Sequence, residues 1–154
     1  MTHKNPFCVK FRLTEIEYDV KVRAVAAAKI AFHDAPADLR NDVVAAATQQ
    51  DMLDRVIKSS LSKVRDMLRF AVIPSSRMTS DEIIDSDTEY SIPLLFDDEW
   101  KGEPDVLCDA IHDYIVSSIL RQWARMTGQR EDAYAIDETE GIERIHDIAC
   151  KYVL

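Results

Sequence analysis

The fold of this chain is decided by residues 104–127, which read PDVLCDAIHDYIVSSILRQWARMT. Proline in the first turn and aspartate beside it are typical of a helix N-terminus. The first N–H groups of a helix have no partner within the helix, so proline, which has no N–H, loses no hydrogen bond there. The aspartate carboxylate lies near the positive end of the helix dipole and interacts favourably with it. Gly128 follows as a C-terminal cap. A long helix is therefore predicted, and the stripe that it turns toward the core consists of Leu107, Ile111, Tyr114, Ile115, Ile119, Gln122, Trp123 and Met126.

The clearest helix in the first half of the chain is predicted at residues 49–72. Its apolar positions follow the i, i+3, i+4 spacing of an amphipathic helix, and Thr48 with Asp51 marks its beginning. Pro74 is expected to end it, because proline cannot continue the hydrogen-bond pattern of a helix. The predicted core stripe contains Met52, Leu53, Val56, Ile57, Leu61, Val64, Met67, Leu68 and Ala71.

A third helix is predicted at residues 15–32, although its first part allows two interpretations. Thr14 and Glu17 have the spacing of a capping box. Residues 16–22 also alternate as a strand would, but the alanine-rich run that follows them favours a helix. The positions that recur at helical spacing, and are expected in the core, are Ile16, Val20, Ala24, Ala27 and Ile30.

Two further helical pieces are predicted. Residues 37–47 are weakly helical and form either a short helix or a turn-rich connector. The last helix is predicted at residues 129–152, where Gly141 either lowers helix stability by up to about 1 kcal/mol or permits a close contact. Its expected core residues are Tyr134, Ile142, Ile145, Ile148, Ala149 and Tyr152.

Two segments have the period-two alternation of β-strands. Residues 7–13 alternate through four apolar side chains, and residues 88–96 alternate through four more. Pro93 lies within the second segment and favours an edge position, because proline cannot donate to a strand ladder. Residues 75–100 as a whole are the expected loop or flap. The alternating side chains are Phe7, Val9, Phe11 and Leu13, then Tyr90, Ile92, Leu94 and Phe96.

Length and composition favour one helical domain. The chain has 154 residues, of which 47% are apolar, and its three glycines and five prolines provide little material for the tight turns of an all-β fold. We therefore predict a mainly α protein, a helical bundle of about four helices with a short N-terminal strand and an extended or β segment around 88–96. The single domain is expected to span residues 1–154, with residues 1–6 as a disordered tail.

Charge and cysteine content narrow the partners and the compartment. There are 28 acidic and 19 basic residues, a net charge of -9, and no compact basic patch, so direct nucleic-acid binding is not expected. No apolar run approaches the length of a membrane span. Cys8, Cys108 and Cys150 match neither a disulfide framework nor a zinc motif, and they are interpreted as reduced, partly buried thiols in a cytosolic protein.

No catalytic, metal or cofactor site, and no small-molecule substrate, is predicted. His112 has two aspartates nearby on its helix, and His146 has Glu143 and Asp147, but neither histidine belongs to a ligand motif, so both are interpreted as exposed helix-face residues. The acidic residues between Asp81 and Glu89 lack the glycine of an EF-hand loop. An enzyme that uses His112 and His146 in one cleft is the least favoured alternative.

The candidate contacts with a protein partner are Trp100, Tyr90 and Phe96. Trp100 lies at a boundary between a loop and a helix, where an exposed indole would be a natural anchor for a partner. The alternative for Trp100 is a cap over the edge of the core. Both interpretations are open at the level of the sequence.

Three stretches of the chain resemble small proteins of the structural-gene modules of Bacteroides phages and prophages. The order of elements, with a glycine turn before a last amphipathic helix, is similar to that of the head-tail connector and adaptor proteins of tailed phages. These are helical domains that form rings at the neck of the virion. The stretches are LRNDVVAAATQQDMLDRVI at 39–57, KVRDMLRF at 63–70 and DAIHDYIVSSILRQW at 109–123.

The resemblance implies a virion structural protein of the connector or adaptor type, without catalysis or cofactor. Its partners would be further copies of itself or phage neck proteins, with no membrane involved. It would be cytoplasmic in the producing cell and then part of the virion. A small helical interaction or regulatory module without catalysis is the alternative function.

Overall fold

The computed structural model describes residues 6–73 and 89–151, and the fold within these ranges is mainly helical. Four of its helices have 18 to 23 residues and a fifth has ten, in agreement with the predicted bundle of about four helices. In chain order the elements are β1 (Phe7–Arg12), α1 (Leu13–Ala31), α2 (Ala37–Ala46), α3 (Gln50–Met67), β2 (Glu89–Leu94), α4 (Pro104–Met126) and α5 (Asp132–Ala149).

The two strands form an antiparallel sheet, as their alternation predicts. Phe7 lies opposite Leu94 and Arg12 lies opposite Glu89. One side of the sheet is buried, because Val9 and Phe11 of β1 alternate with exposed neighbours. Pro93 has no N–H group to donate within this two-stranded sheet. Its carbonyl accepts a hydrogen bond from the N–H of Ile73.

Helix α1 settles the ambiguity of residues 16–22 in favour of helix. It begins at Leu13, directly after β1, and its cap residue Arg12 makes no side-chain cap hydrogen bond, so the capping box predicted at Thr14 is wrong. The strand extends to Arg12, which leaves Thr14 inside the first turn. The buried side of α1 consists of Ile16, Val20, Ala24 and Ala28.

Helix α3 ends earlier than predicted, at Met67 instead of residue 72. The chain leaves the helix so that its backbone can join the sheet: Val72 forms an isolated bridge with Leu94, and the N–H of Leu95 donates to the carbonyl of Ala71. Pro74, the predicted helix stop, lies outside the described residues. At the other end, the Gln49 side chain caps α3 by accepting from the N–H of Met52, so Thr48 is not the cap.

Helix α4 is the centre of the fold. It packs against α1, α3, α5 and β1, and its Trp123 side chain is fully buried while the indole N–H donates to the carbonyl of Val43, at 2.7 Å. The predicted C-terminal cap is confirmed, because Gly128 has φ 73° and starts the turn toward α5. One hydrophobic core contains residues of every element except α2, whose Val43 and Val44 pack against it partly buried.

Ion pairs hold α4 and α5 together beside this turn. Arg121 pairs with Glu138 at 2.6 Å, and Arg125 pairs with Glu131 at 3.0 Å. The hydrogen bond to Glu138 raises the pKa of Arg121, and the hydrogen bond from Arg125 lowers the pKa of Glu131. These cations therefore stay charged and paired on the protein's own carboxylates.

Helix α5 spans Asp132–Ala149, shorter at both ends than the predicted 129–152. Gly141 lies against Tyr114 of α4, where an added Cβ would be 3.3 Å from the Cβ of Tyr114, so the close-contact interpretation is confirmed. Ile142, predicted in the core, is 37% exposed, because α4 covers α5 along the line of Ile145 and Ala149 instead.

Some predictions fall on residues that the structure does not describe. These are the disordered tail, apart from Pro6, most of the loop or flap at 75–100, and the burial of Tyr152. Within residues 6–73 and 89–151, no helix is both long and apolar enough to cross a membrane.

Candidate functional site

The predicted partner contacts Trp100, Tyr90 and Phe96 are buried. The exposed fraction is 6% for Trp100, and Tyr90 and Phe96 are covered to a similar degree. This burial does not support a role for them as exposed anchors, and for Trp100 the structure shows the second interpretation, a cap over the edge of the core. The cause is tertiary, since the covering residues come from distant parts of the chain.

Trp100 joins the end of β2 to the end of α5. Its ring stacks on Phe96 with centroids 4.0 Å apart, and Phe7 of β1 stacks on both rings. The indole N–H donates to the carbonyl of Ile148 at 2.9 Å. An aromatic residue that fills its stacking and hydrogen-bond capacity within the chain is a structural cap.

Tyr90 is also satisfied inside the chain. Its hydroxyl donates to Asp54 of α3 at 3.3 Å. Burial and the nearby carboxylate raise the pKa of Tyr90 to about 12. The hydroxyl therefore stays protonated and ties β2 to α3.

His112 lies in an open cleft where α1, α4 and α5 meet. Its Nε2 is 2.6 Å from Asp19 Oδ2, and its side chain is 18% exposed. Asp113, one of the two aspartates near His112 on its own helix, pairs with Arg144 of α5 instead, at 3.1 Å. The interpretation of His112 as an exposed helix-face residue is wrong. The cleft measures about 660 Å³ and is lined by Lys10, Phe11, Thr14, Glu15, Tyr18, Asp19, Cys108, Asp109, His112, Asp113 and Arg144.

The chemistry that this cleft could support is limited by Cys108. Burial raises the pKa of the Cys108 thiol, and its Sγ donates to the carbonyl of Lys10 at 3.4 Å. A nucleophilic cysteine needs a lowered pKa, whereas the pKa of Cys108 is raised, so its thiol is not activated as a nucleophile. The pair of His112 and Asp19 resembles the base and orienting carboxylate of a hydrolase, and among the described residues that line this cleft the one thiol is not activated. The contact between them joins α1 to α4.

His146 does not take part in this cleft. It is not among the residues that line it, and its ring lies near Asp147 and Cys150, on α5 and at its end. The alternative of an enzyme with His112 and His146 in one cleft therefore finds no support in the cleft that holds His112. Among the described residues, no group of three histidine, cysteine or acidic side chains is arranged to hold a metal ion.

The cysteines are less buried than predicted. Cys8 and Cys150 are exposed and Cys108 is half-buried, and all three are free thiols. The acidic turn at Asp97 is a local structure, in which the carboxylate accepts from the N–H of Glu99 at 3.0 Å. The acidic residues at 81, 82, 85 and 87 lie outside the described part of the chain.

A second cleft, between α1 and α2, has a different character. It measures about 530 Å³, its floor is largely apolar, and its polar residues include three cations and no acidic group. The lining residues are Lys21, Val25, Ala28, Lys29, Ala37, Arg40, Asn41, Val44, Ala45 and Thr48. We call this the basic cleft.

The cations of the basic cleft have no carboxylate partner among the described residues. Lys21, Lys29 and Arg40 form no ion pair there, and Arg40 Nε is buried with no hydrogen-bond acceptor among those residues. A buried N–H without an acceptor is unfavourable by about 1–3 kcal/mol, so an incoming acceptor would be stabilised. The basic cleft therefore carries a local positive charge in a chain whose net charge is -9.

Helix α1 also carries a second apolar stripe on its outer side. Tyr18, Val22, Ala26 and Ile30 recur at every fourth position, and all four are exposed. Tyr18 is 68% exposed and Ile30 is 80% exposed. Ile30 was predicted in the core, and the structure places Ala28 there instead. We call these four residues the outer row of α1.

Sequence reasoning missed the residues that matter most in both clefts. Asp19 and Arg144 are near His112 only through the packing of three helices, and no spacing in the sequence indicates this. Lys21, Lys29 and Arg40 likewise belong to two helices. For the outer row of α1, by contrast, the spacing at every fourth position was a signal that the sequence offered.

No protein-family model matches the chain, and no similar curated protein or solved structure was found.

Proposed function

We propose that this chain is a structural protein that works by assembling with other proteins, of the head-tail connector or adaptor type of tailed phages. The observation that supports the proposal is the outer row of α1. In a helix that only covers a core, the side away from the core is polar. Here Tyr18, Val22, Ala26 and Ile30 continue an apolar row along the solvent side.

An exposed apolar row of this kind is a favourable contact surface. Burial of a large apolar side chain stabilises a complex by about 1.5–3 kcal/mol before the cost of association is counted. Contiguous exposed apolar surface is typical of interaction sites, whereas single exposed residues are ordinary. The row extends from Tyr18 near the start of α1 to Ile30 near its end, so a partner could pack along most of the helix.

In this proposal the partner is a further copy of the chain or another neck protein. The protein is made in the cytoplasm of the producing cell and becomes part of the virion. The fold then serves as a rigid support whose core is complete, and function resides in the exposed helices.

The test is the mass and shape of the particles that the purified chain forms. Size-exclusion chromatography with light scattering, followed by electron microscopy, should show closed rings for the wild type. Val22→Lys/Ile30→Lys, on the outer row, should form smaller particles with unchanged circular dichroism. Met126, which was predicted in the core stripe of α4, is 49% exposed instead, so Met126→Lys is the control and should form rings like the wild type.

A chain that stays monomeric at millimolar concentration, alone and with neck proteins, contradicts this proposal. A chain that forms no ring but binds one unrelated protein through the outer row favours the alternative, a small interaction or regulatory module.

A further inference from the structure

We infer that the basic cleft is the docking site for helix α5 of a second copy of this chain. The inference rests on the proposed function, because it names the contact that would build the assembly. It starts from the cleft, where an apolar floor carries three cations that no described carboxylate neutralises. The matching occupant is a helix with an exposed apolar residue flanked by carboxylates.

Helix α5 has this pattern on its outer side. Ile136 is 58% exposed, and Glu140 and Glu143 are exposed one and two turns further along the same side. Neither glutamate forms an ion pair among the described residues. The three residues line one shallow surface groove, so their side chains lie next to each other.

The complementarity is specific in both charge and polarity. Ile136 would enter the apolar floor near Val25 and Val44, and the glutamates would meet Lys21, Lys29 and Arg40. A glutamate oxygen would also supply the acceptor that Arg40 Nε does not find among residues 6–73 and 89–151. Hydrogen bonds between charged groups are about twice as strong as neutral ones, so this pairing contributes affinity as well as register.

The contact must form between copies, because a chain cannot reach its own cleft. Arg23 of α1 pairs with Asp137 at 3.3 Å, so α5 of the same chain lies on the Arg23 side of α1. Val25, on the cleft side, is two residues further along, a rotation of about 200° around the helix. The cleft and α5 therefore flank α1 on nearly opposite sides.

A contact between two different faces of the same chain is head-to-tail. Each copy would offer α5 to one neighbour and the basic cleft to the other. Such heterologous contacts produce closed rings when the rotation between neighbours closes, and open filaments when it does not. The inferred contact is therefore of the kind that a ring requires.

The test is charge reversal on each face in the full-length chain. Lys21→Glu/Lys29→Glu alone and Glu140→Lys/Glu143→Lys alone should each reduce self-association at least tenfold, because like charges then face each other. An equimolar mixture of the two variants should assemble again, since every cleft finds an α5 of opposite charge. Lys63→Glu/Lys101→Glu, which makes the same charge change at two exposed positions outside the cleft, is the control and should leave self-association within about twofold. Sedimentation velocity measures all four, and assembly through this contact should weaken as salt rises.

The outcomes separate this inference from the proposed function. Rings that persist in both reversal variants, or that are lost equally in the control, overturn the docking of α5 while the ring-forming function stands. Loss of assembly in the cleft variant alone, without rescue by the α5 variant, also overturns it and indicates a different acidic occupant. A wild type that is monomeric at millimolar concentration overturns both.

Discussion

Helices α4 and α1 both carry apolar residues on more than one side, but they do so for opposite reasons. Helix α4 is surrounded by α1, α3, α5 and β1, and its residues Tyr114–Leu120 are buried without interruption. Helix α1 packs mainly against α4, α2 and β1, with an ion pair to α5, which leaves Tyr18 and Ile30 exposed. A helix with apolar residues on more than one side thus either lies at the centre of a fold or has an apolar side that stays exposed until a partner covers it.

The difference shows where stability and function are located. The apolar side chains of α4 stabilise the chain itself, because its own elements remove them from water. Those of the outer row of α1 contribute much less of this kind until another molecule covers them, because Val22 is 50% exposed and Ile30 80%. Substitutions in α4 should therefore change the free energy of unfolding, and substitutions in the outer row should change assembly.

The largest effect is expected from Trp123→Ala. The indole is fully buried and its N–H donates to Val43, so its removal leaves a cavity and an unpaired carbonyl. We expect a loss of about 3–5 kcal/mol in the free energy of unfolding, measured with chemical denaturant. Tyr18→Ala, its counterpart on α1, should change the same quantity by less than about 0.5 kcal/mol. Equal losses would contradict the contrast between the two helices.

A smaller effect is expected from Gly141→Leu at the contact of α5 with α4. The added Cβ would already be 3.3 Å from the Cβ of Tyr114, and the rest of the side chain has to displace the ring. We expect destabilisation by about 1–3 kcal/mol. Ala133→Leu, at an exposed position of α5, adds a similar volume and should be nearly neutral. Thermal unfolding of both variants at a concentration where the chain is monomeric measures the difference.

Alkaline pH should lower the stability that α4 gains from its buried Tyr114. Burial is the largest cause that raises the pKa of Tyr114 above its ordinary value of 10.0, so the fold favours the neutral phenol. The stability that it contributes is complete below pH 10.0 and is lost as pH rises through the raised pKa. Tyr114→Phe should lessen the fall in stability above this pH. An identical alkaline profile for wild type and Tyr114→Phe is the result that would count against this assignment.

The smallest effect on folding is expected from Ile30→Ser in the outer row. Its side chain is 80% exposed, so the free energy of unfolding of the monomer should change by less than about 0.5 kcal/mol. A loss above about 1 kcal/mol would mean that the chain's own residues cover Ile30, and the outer row would then not be an open surface. Denaturant titration at low protein concentration provides this measurement.

The helices and strands could be predicted because their signals are local. Helical spacing in residues 104–127 depends on the chain's own geometry, and α4 indeed spans Pro104–Met126. Helix ends were predicted less well. The helix α3 ends at Met67 because the residues after Leu68 join the sheet through Leu94, a partner that is distant in the sequence.

The sites could not be predicted to the same extent. The ring of His112 contacts Asp19 of α1 and not the aspartates of its own helix. The packing of α1 against α4 brings Asp19 Oδ2 within 2.6 Å of His112 Nε2. Trp100 is buried because α5 ends where the indole can donate to Ile148. Each of these outcomes depends on the relative position of two elements.

Local sequence patterns predict which segments become helices and strands, and which side chains share a side of each helix. They do so because hydrophobic periodicity reports the geometry of a single element. The packing of the elements adds which side of a helix faces the core, whether Ile30 or Ala28 is covered, and that three cations with no carboxylate partner among the described residues meet between α1 and α2. The physical reason is that burial and charge pairing depend on neighbours, and the neighbours in this fold come from distant parts of the chain.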